Sequence, residues 1–250
     1  MTPSDKMAMY TWLMRGNNFA ARLTDPDGGA TDMSEIKDPF NGTNPTLRIL
    51  SEADLNNILE DHTKWLESDG KKGVRADLHA TNLYKAQLKG CDLAYANLKE
   101  AYLMGTEFDD ACLIRADLED SWACNASFDR AQLKRANFKG VDLTAAAFIN
   151  ADLTEANFEN TICAGGFFQG ANLTGANFKR ADLHYAEFPG ASFVGTDFQE
   201  ADFLGSINFG EEILPIEQLC KAGSLFEAKL DEEFLDKVKA FCPHLLNKPV

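Results

Sequence analysis

The residues able to do chemistry are few, and their spacing suits it poorly. Four histidines, His62, His79, His184 and His244, are scattered along 250 residues, none at metal-ligand spacing from another or from the six cysteines. Asp25, Asp27, Asp32 and Glu35 come nearest to a calcium loop, but the glycines fall at 28 and 29 and Glu35 arrives one place early, so that template fails. No Gly-x-Ser-x-Gly, phosphate loop or His-Glu-x-x-His occurs. Acids do recur, among them Asp77, Asp117 and Asp152, but with a period that satisfies a structural template rather than a pair of catalytic carboxylates. The expectation is a protein that is not an enzyme and holds no metal or other cofactor.

Composition narrows the classes further. With 45% hydrophobic and 25% charged residues the chain can bury a core. A net charge of −15 disfavours holding nucleic acid by its phosphates. No run of 18 apolar residues is present to span a membrane. The sequence near Met1 lacks the charged-then-apolar pattern of a secretory signal. Six cysteines without paired short spacings read as reduced thiols rather than a disulfide framework, which implies a cytoplasmic protein.

What must position any surface chemistry is a repeat. From Leu78 to Phe203 an apolar residue recurs every fifth place, giving 26 centres, of which 13 are Leu and 11 Phe; Ala123 and Cys163 depart. Two places before the centre stands Ala in 18 of the 26, and the place just before it is mostly Asp, Asn, Gln or Glu. A period of five matches neither a helix nor plain strand alternation. It matches a chain that turns one corner per unit and sends the centre and the small residue inward. Between Phe128 and Phe158 the centres alternate Phe and Leu. Four units per coil therefore stack like on like: Phe108, Phe128, Phe148, Phe168 and Phe188 form one column, Phe138, Phe158, Phe178 and Phe198 another, with Leu133, Leu153 and Leu173 on an intervening side.

The units ADLHA, ANLKE, ANFKG, ADLTE, ANLTG and ADLHY resemble the pentapeptide-repeat family, over residues 75 to about 209. That resemblance implies an all-β solenoid, a right-handed quadrilateral β-helix of about 6.5 coils, with a solid interior and no room for a substrate. It extends into the flanks as far as bacterial-type members with helix-capped coils. Residues 1–49 read as an extended or docked segment with an apolar cluster of Tyr10, Trp12, Leu13, Met14 and Phe19. Residues 50–74 read as an N-terminal capping helix, started by Ser51 and Asp54 and stopped by Ser68, Asp69 and Gly70, with Leu55, Ile58, Leu59, His62, Trp65 and Leu66 on one face. Residues 210–250 read as a C-terminal helical cap: a short helix from Pro215 to Leu219, and a second opened by Asp231 whose apolar side is Phe234, Leu235, Val238 and Phe241. The β-helix is thus expected to be capped by α-helices at both ends.

Sorting the repeat by side of the coil singles out one side, that of centres 83, 103, 123, 143, 163, 183 and 203. Its column before the centre holds Tyr102, Trp122 and Ile162, and its column after the centre reads Tyr84, Met104, Cys124, Thr144, Ala164, His184 and Leu204, with no Lys, Arg, Asp or Glu. Tyr84, Tyr102, Met104, Trp122, Cys124, Ile162, His184 and Leu204 form the candidate protein-binding face. The competing reading is that residues 1–20 cover it, or that Trp122 folds inward over Ala123.

Two functions follow. The first is a scaffold that binds an unidentified protein partner, as monomer or homodimer. The second comes from the resemblance: quinolone-resistance members are similar to B-DNA in shape and acidity and bind type II topoisomerases, so DNA gyrase is a candidate partner. Charge density counts against it. The repeat carries a net −8, from 19 acids and 11 bases, whereas a duplex of ~30 Å carries about 18 negative charges. Lys134, Arg135, Lys139, Lys179 and Arg180 also interrupt the acidic faces.

Overall fold

The computed structural model describes residues 47–206 and 216–249. The chain divides into two units, Met1–Asn44 and Pro45–Val250, and all the described residues belong to the second. The calcium-like acids and the apolar cluster at residues 10–19 lie outside the described residues.

Each pentapeptide makes one β-bridge and one turn. Parallel bridges join residues twenty apart, from Asp77 to Asn97 through to Asp182 and Asp202, so four units close one coil. We call the sides A, B, C and D, carrying the centres Leu78, Leu83, Leu88 and Leu93 and every twentieth residue after each. The corner is a four-residue turn in which the N–H three places after the centre donates to the centre's carbonyl, as Ala96 does to Leu93 at 3.0 Å. Its third residue sits at positive φ, a conformation that glycine adopts freely. Tyr95, Arg115 and Glu155 adopt it too, at φ 65, 57 and 58°. Their N–H groups donate to the next coil (Arg115 to the carbonyl of Lys134 at 3.0 Å), so ladder hydrogen bonds offset the cost of the strained backbone.

The preference for Asp or Asn before the centre has a local cause. The side-chain Oδ1 accepts from the N–H two places on, as Asp152 does from Thr154 at 3.1 Å and Asn82 from Tyr84 at 3.0 Å. That satisfies a backbone donor the turn would otherwise leave bare. Asparagines also link coils, Asn97 donating to Asp77 at 2.9 Å and Asn157 to Asn137 at 3.1 Å.

Inside, the phenylalanines stack as their positions require. Phe128 lies 5.0 Å from Phe108 and 4.9 Å from Phe148, and Phe158 lies 4.8 Å from Phe138 and 4.4 Å from Phe178. Columns on opposite sides meet edge to face across the interior, as Phe138 and Phe148 do at 5.7 Å. Small residues before each centre let the backbone turn close to these rings. Where the small residue is Thr106 or Thr196, its hydroxyl donates to a carbonyl one coil below, Leu83 or Leu173, at 2.7 and 2.8 Å.

At the start of the rod, α1 (Glu52–Glu67) opens with a capping box between Ser51 and Asp54. Its fully buried residue is His62, whose Nδ1 accepts from the Ala76 N–H at 3.0 Å, while Trp65 stays half-exposed. Before α1, Arg48 pairs in parallel with Thr81 and so occupies the strand edge under side B.

The far end departs from a purely helical cap. Helix α2 (Ile216–Leu219) is followed by two further repeat units, in which Ser224 and Lys229 bridge to Asp197 and Asp202. The separation of 27 residues shows why the sequence hides them: seven extra residues break the register. Helix α3 (Glu232–Phe241) then packs Phe234 and Val238 inward, whereas Phe241, expected on the apolar side, is 71% exposed. Its cap residue Asp231 accepts from the Gly205 N–H at 3.2 Å, tying the helix to the last coil. A disulfide joins Cys220, just after α2, to Cys242, just after α3. Two of the six cysteines are therefore paired, which corrects the reading of all six as reduced thiols and removes its support for a cytoplasmic location. Spacing could not reveal the pair, because only the folded end brings the two helix termini together.

Candidate functional site

The eight residues of the candidate face share side B. Bridges run through it from Asn82 to Tyr102, Trp122, Asp142, Ile162, Asp182 and Asp202 in turn. Trp122 thus occupies an outward rung position, and the fully buried residue beside it is Ala123.

Accessibility differs along the side. Ile162 is 44% exposed, flanked by the short residues Ala164 and Gly165. Tyr84, Met104, Trp122, Cys124, His184 and Leu204 are half-buried. Tyr102 is not available to a partner, with 3% of its surface exposed. Its ring stacks on Tyr84 at 6.0 Å and its hydroxyl donates to the Met104 sulfur at 3.4 Å, so it supports two neighbours rather than meeting a ligand. Sequence position alone puts Tyr102 outside; its burial depends on how the aromatic rings of successive coils lie against one another.

Two cysteines, Cys124 in the column after the centre and Cys163 at a core position, belong to this side. Burial pushes the Cys124 thiol up to about 12, with the nearby Asp142 adding to the shift, so no nucleophilic thiolate forms. The same desolvation pushes Cys163 in the core up to about 12. His184 lies 2.5 Å from Asp182 and 3.4 Å from Asp202, and Lys229 reaches Asp202 at 2.7 Å, so the upper end of side B is polar. The apolar residues of the side run from Tyr84 to Cys124 and resume at Ile162, with Asp142 and Thr144 between them. Among the described residues no group of three or more His, Cys, Asp or Glu could hold a metal ion.

The other sides are laced with ion pairs. On side A, Lys99 contacts Glu119 at 2.6 Å and Asp117 at 3.3 Å, and Lys139 reaches the same Glu119 at 3.8 Å. At corners, Arg130 pairs with Asp110 at 2.8 Å and Arg135 with Glu155 at 2.6 Å, each one coil away.

The family model for pentapeptide repeats matches eight copies, over residues 74–110, 111–148, 151–184 and 176–207. No curated protein matches the sequence. Among solved structures, the chain is similar to HetL, a pentapeptide repeat protein involved in heterocyst differentiation regulation from the cyanobacterium Nostoc sp. strain PCC 7120. The identity is 23% and the TM-score 0.43, over 62% of this chain and 79% of that one. QnrB1, a plasmid-mediated fluoroquinolone resistance protein, is 22% identical with a TM-score of 0.41, over 67% of this chain and 83% of its own. A pentapeptide repeat protein of the Arabidopsis thaliana thylakoid lumen is 24% identical with a TM-score of 0.25, over 50% and 83%. With its family model matched across the coils from residue 74 to 207, the chain belongs to the pentapeptide-repeat family, whose members fold as right-handed quadrilateral β-helices.

Proposed function

We propose that the protein is a non-catalytic scaffold that binds another protein through side B, between Tyr84 and Ile162. The rod is read as 26 centres at four per coil, about 6.5 coils, with helical segments closing both ends. One observation carries the reading. Side B is the side whose column after the centre has no Lys, Arg, Asp or Glu, and Tyr102, Trp122 and Ile162 replace the Asp or Asn that would cap the following turn. At the Trp122 and Ile162 rungs the backbone cap is given up for apolar surface that a partner can reach, the indole half-buried and the isoleucine 44% exposed.

DNA mimicry of the topoisomerase-binding kind has less support. The acids of side A are interleaved with lysines at contact distance, which cancels the field a DNA-like surface needs. In a gyrase supercoiling assay the protein is expected to leave activity and quinolone sensitivity unchanged. The scaffold reading is tested by Ile162→Asp, a change at an exposed rung: a protein captured by the wild type is lost from the variant while the melting temperature holds. Capture that is equal in both removes side B from the interaction.

A further inference from the structure

A second site stands on the opposite part of the rod, at the corner between sides D and A. Six arginines fall among the described residues. Arg130, Arg135 and Arg180 contact carboxylates, and Arg48 donates to the carbonyl of Asp77 at 3.1 Å. Arg75 and Arg115 have no carboxylate at ion-pair distance among the described residues, and both line one shallow cleft of about 300 Å³. Between them stands Tyr95, 41% exposed, with the Arg115 guanidinium 5.9 Å from its ring centre. Trp65 of α1 braces the same ring edge-on at 6.2 Å. The remaining charges in the cleft neutralise one another, Lys99 lying 3.3 Å from Asp117. In a chain of net charge −15, two guanidiniums with no carboxylate at contact distance, flanking an aromatic ring, are an unusual concentration of positive charge.

The coil spacing sets what they can hold. Tyr95 is one coil above Arg75 and Arg115 one coil above Tyr95, so the two arginine stems are about 10 Å apart along the rod. That is too far for both to converge on one small anion. It matches two carboxylates two or three residues apart on an extended peptide, with the residue between them on the tyrosine. A phosphate would also want backbone donors, and those nearby are taken: Tyr95 N–H donates to Ile114, Ala96 N–H to Leu93 and Asn97 N–H to Ala76. We propose that the Arg75–Tyr95–Arg115 corner is a docking site for an acidic peptide segment of a partner protein. It is separate from side B and does not rest on that side being open.

The test uses the full chain and a fluorescein-labelled hexaglutamate peptide, followed by fluorescence anisotropy. Saturable binding is expected, weakened about tenfold or more in the Arg75→Gln/Arg115→Gln double variant. Arg130→Gln, which removes a guanidinium engaged by Asp110 at another corner, is expected to leave binding within about twofold. Raising salt from ~0.05 to ~0.3 M is expected to weaken binding several-fold. Unchanged affinity in the double variant overturns the site. Oligothymidylate binding as tightly as hexaglutamate, or displacement of the peptide by inorganic phosphate at about 10 mM, overturns the peptide assignment in favour of a general anion site. Because Ile162→Asp lies on side B, it should not alter hexaglutamate binding, so this site and the side B reading fail separately.

Discussion

Replacing Phe148 with leucine probes the coil from the inside. Leu is the commonest centre in the repeat, so by local preference alone the change should be nearly silent. The structure says otherwise. Phe148 is fully buried, stacked on Phe128 at 4.9 Å and Phe168 at 5.0 Å, with Phe138 and Phe158 edge-on at 5.7 and 5.8 Å. Losing the two stacked pairs costs about 1–3 kcal/mol, and Phe148→Ala, which also leaves a cavity, about 3–5 kcal/mol. For a chain of this size the leucine variant should melt roughly 2–12 °C lower. Phe193→Leu is the matched control, because Phe193 follows Leu133, Leu153 and Leu173 on side D, and leucine there extends an existing column. Thermal melts and urea midpoints of the three variants check the ordering. If Phe148→Leu cost no more than Phe193→Leu, like-on-like stacking at twenty residues would be refuted as the basis of the core.

Three other outcomes follow from the ends of the rod and its thiols. Burial holds the His62 imidazole below its ordinary range, more strongly than Asp92 raises it. The fold therefore favours neutral His62, and its contribution is present above about pH 6.5 and lost as the pH falls below it; Trp65 fluorescence should report α1 loosening as the pH falls below about 6.5, and a His62→Gln variant should lack that step. Reducing Cys220–Cys242 should lower stability by about 2–4 kcal/mol and loosen the rungs at Ser224 and Lys229 before the phenylalanine columns, read by hydrogen exchange. Cys124 and Cys163, with thiols pushed up to about 12, should resist iodoacetamide at pH 8 in the folded protein and react on unfolding, read by intact mass.

The coil was legible because its core obeys one rule repeated without insertion: the Phe–Leu alternation carries the twenty-residue stack, and the Asp or Asn before each centre carries the turn. The ends were less legible for definite reasons. Ser224 and Lys229 rejoin the ladder after a seven-residue offset, and two units are too few to announce a period. The Cys220–Cys242 pair is made by two short helices ending side by side. On side B the membership of all eight residues could be read by counting in twenties, but the burial of Tyr102 could not, since it turns on ring contacts. At the corner the signal was present in the sequence. Reading residues 75, 95, 115, 135 and 155 as one column gives Arg, Tyr, Arg, Arg, Glu, three arginines to a single acid, which makes its contact with Arg135.

If the rod binds another protein through side B, a probe placed there must touch that partner. In-cell photo-crosslinking reads this contact, with a benzophenone amino acid placed at Ile162 on side B or at Gln132, an exposed residue on side D. A discrete adduct of constant mass from position 162, absent from position 132, is the predicted result. Adducts from position 132 alone, or the same products from both positions, would contradict it.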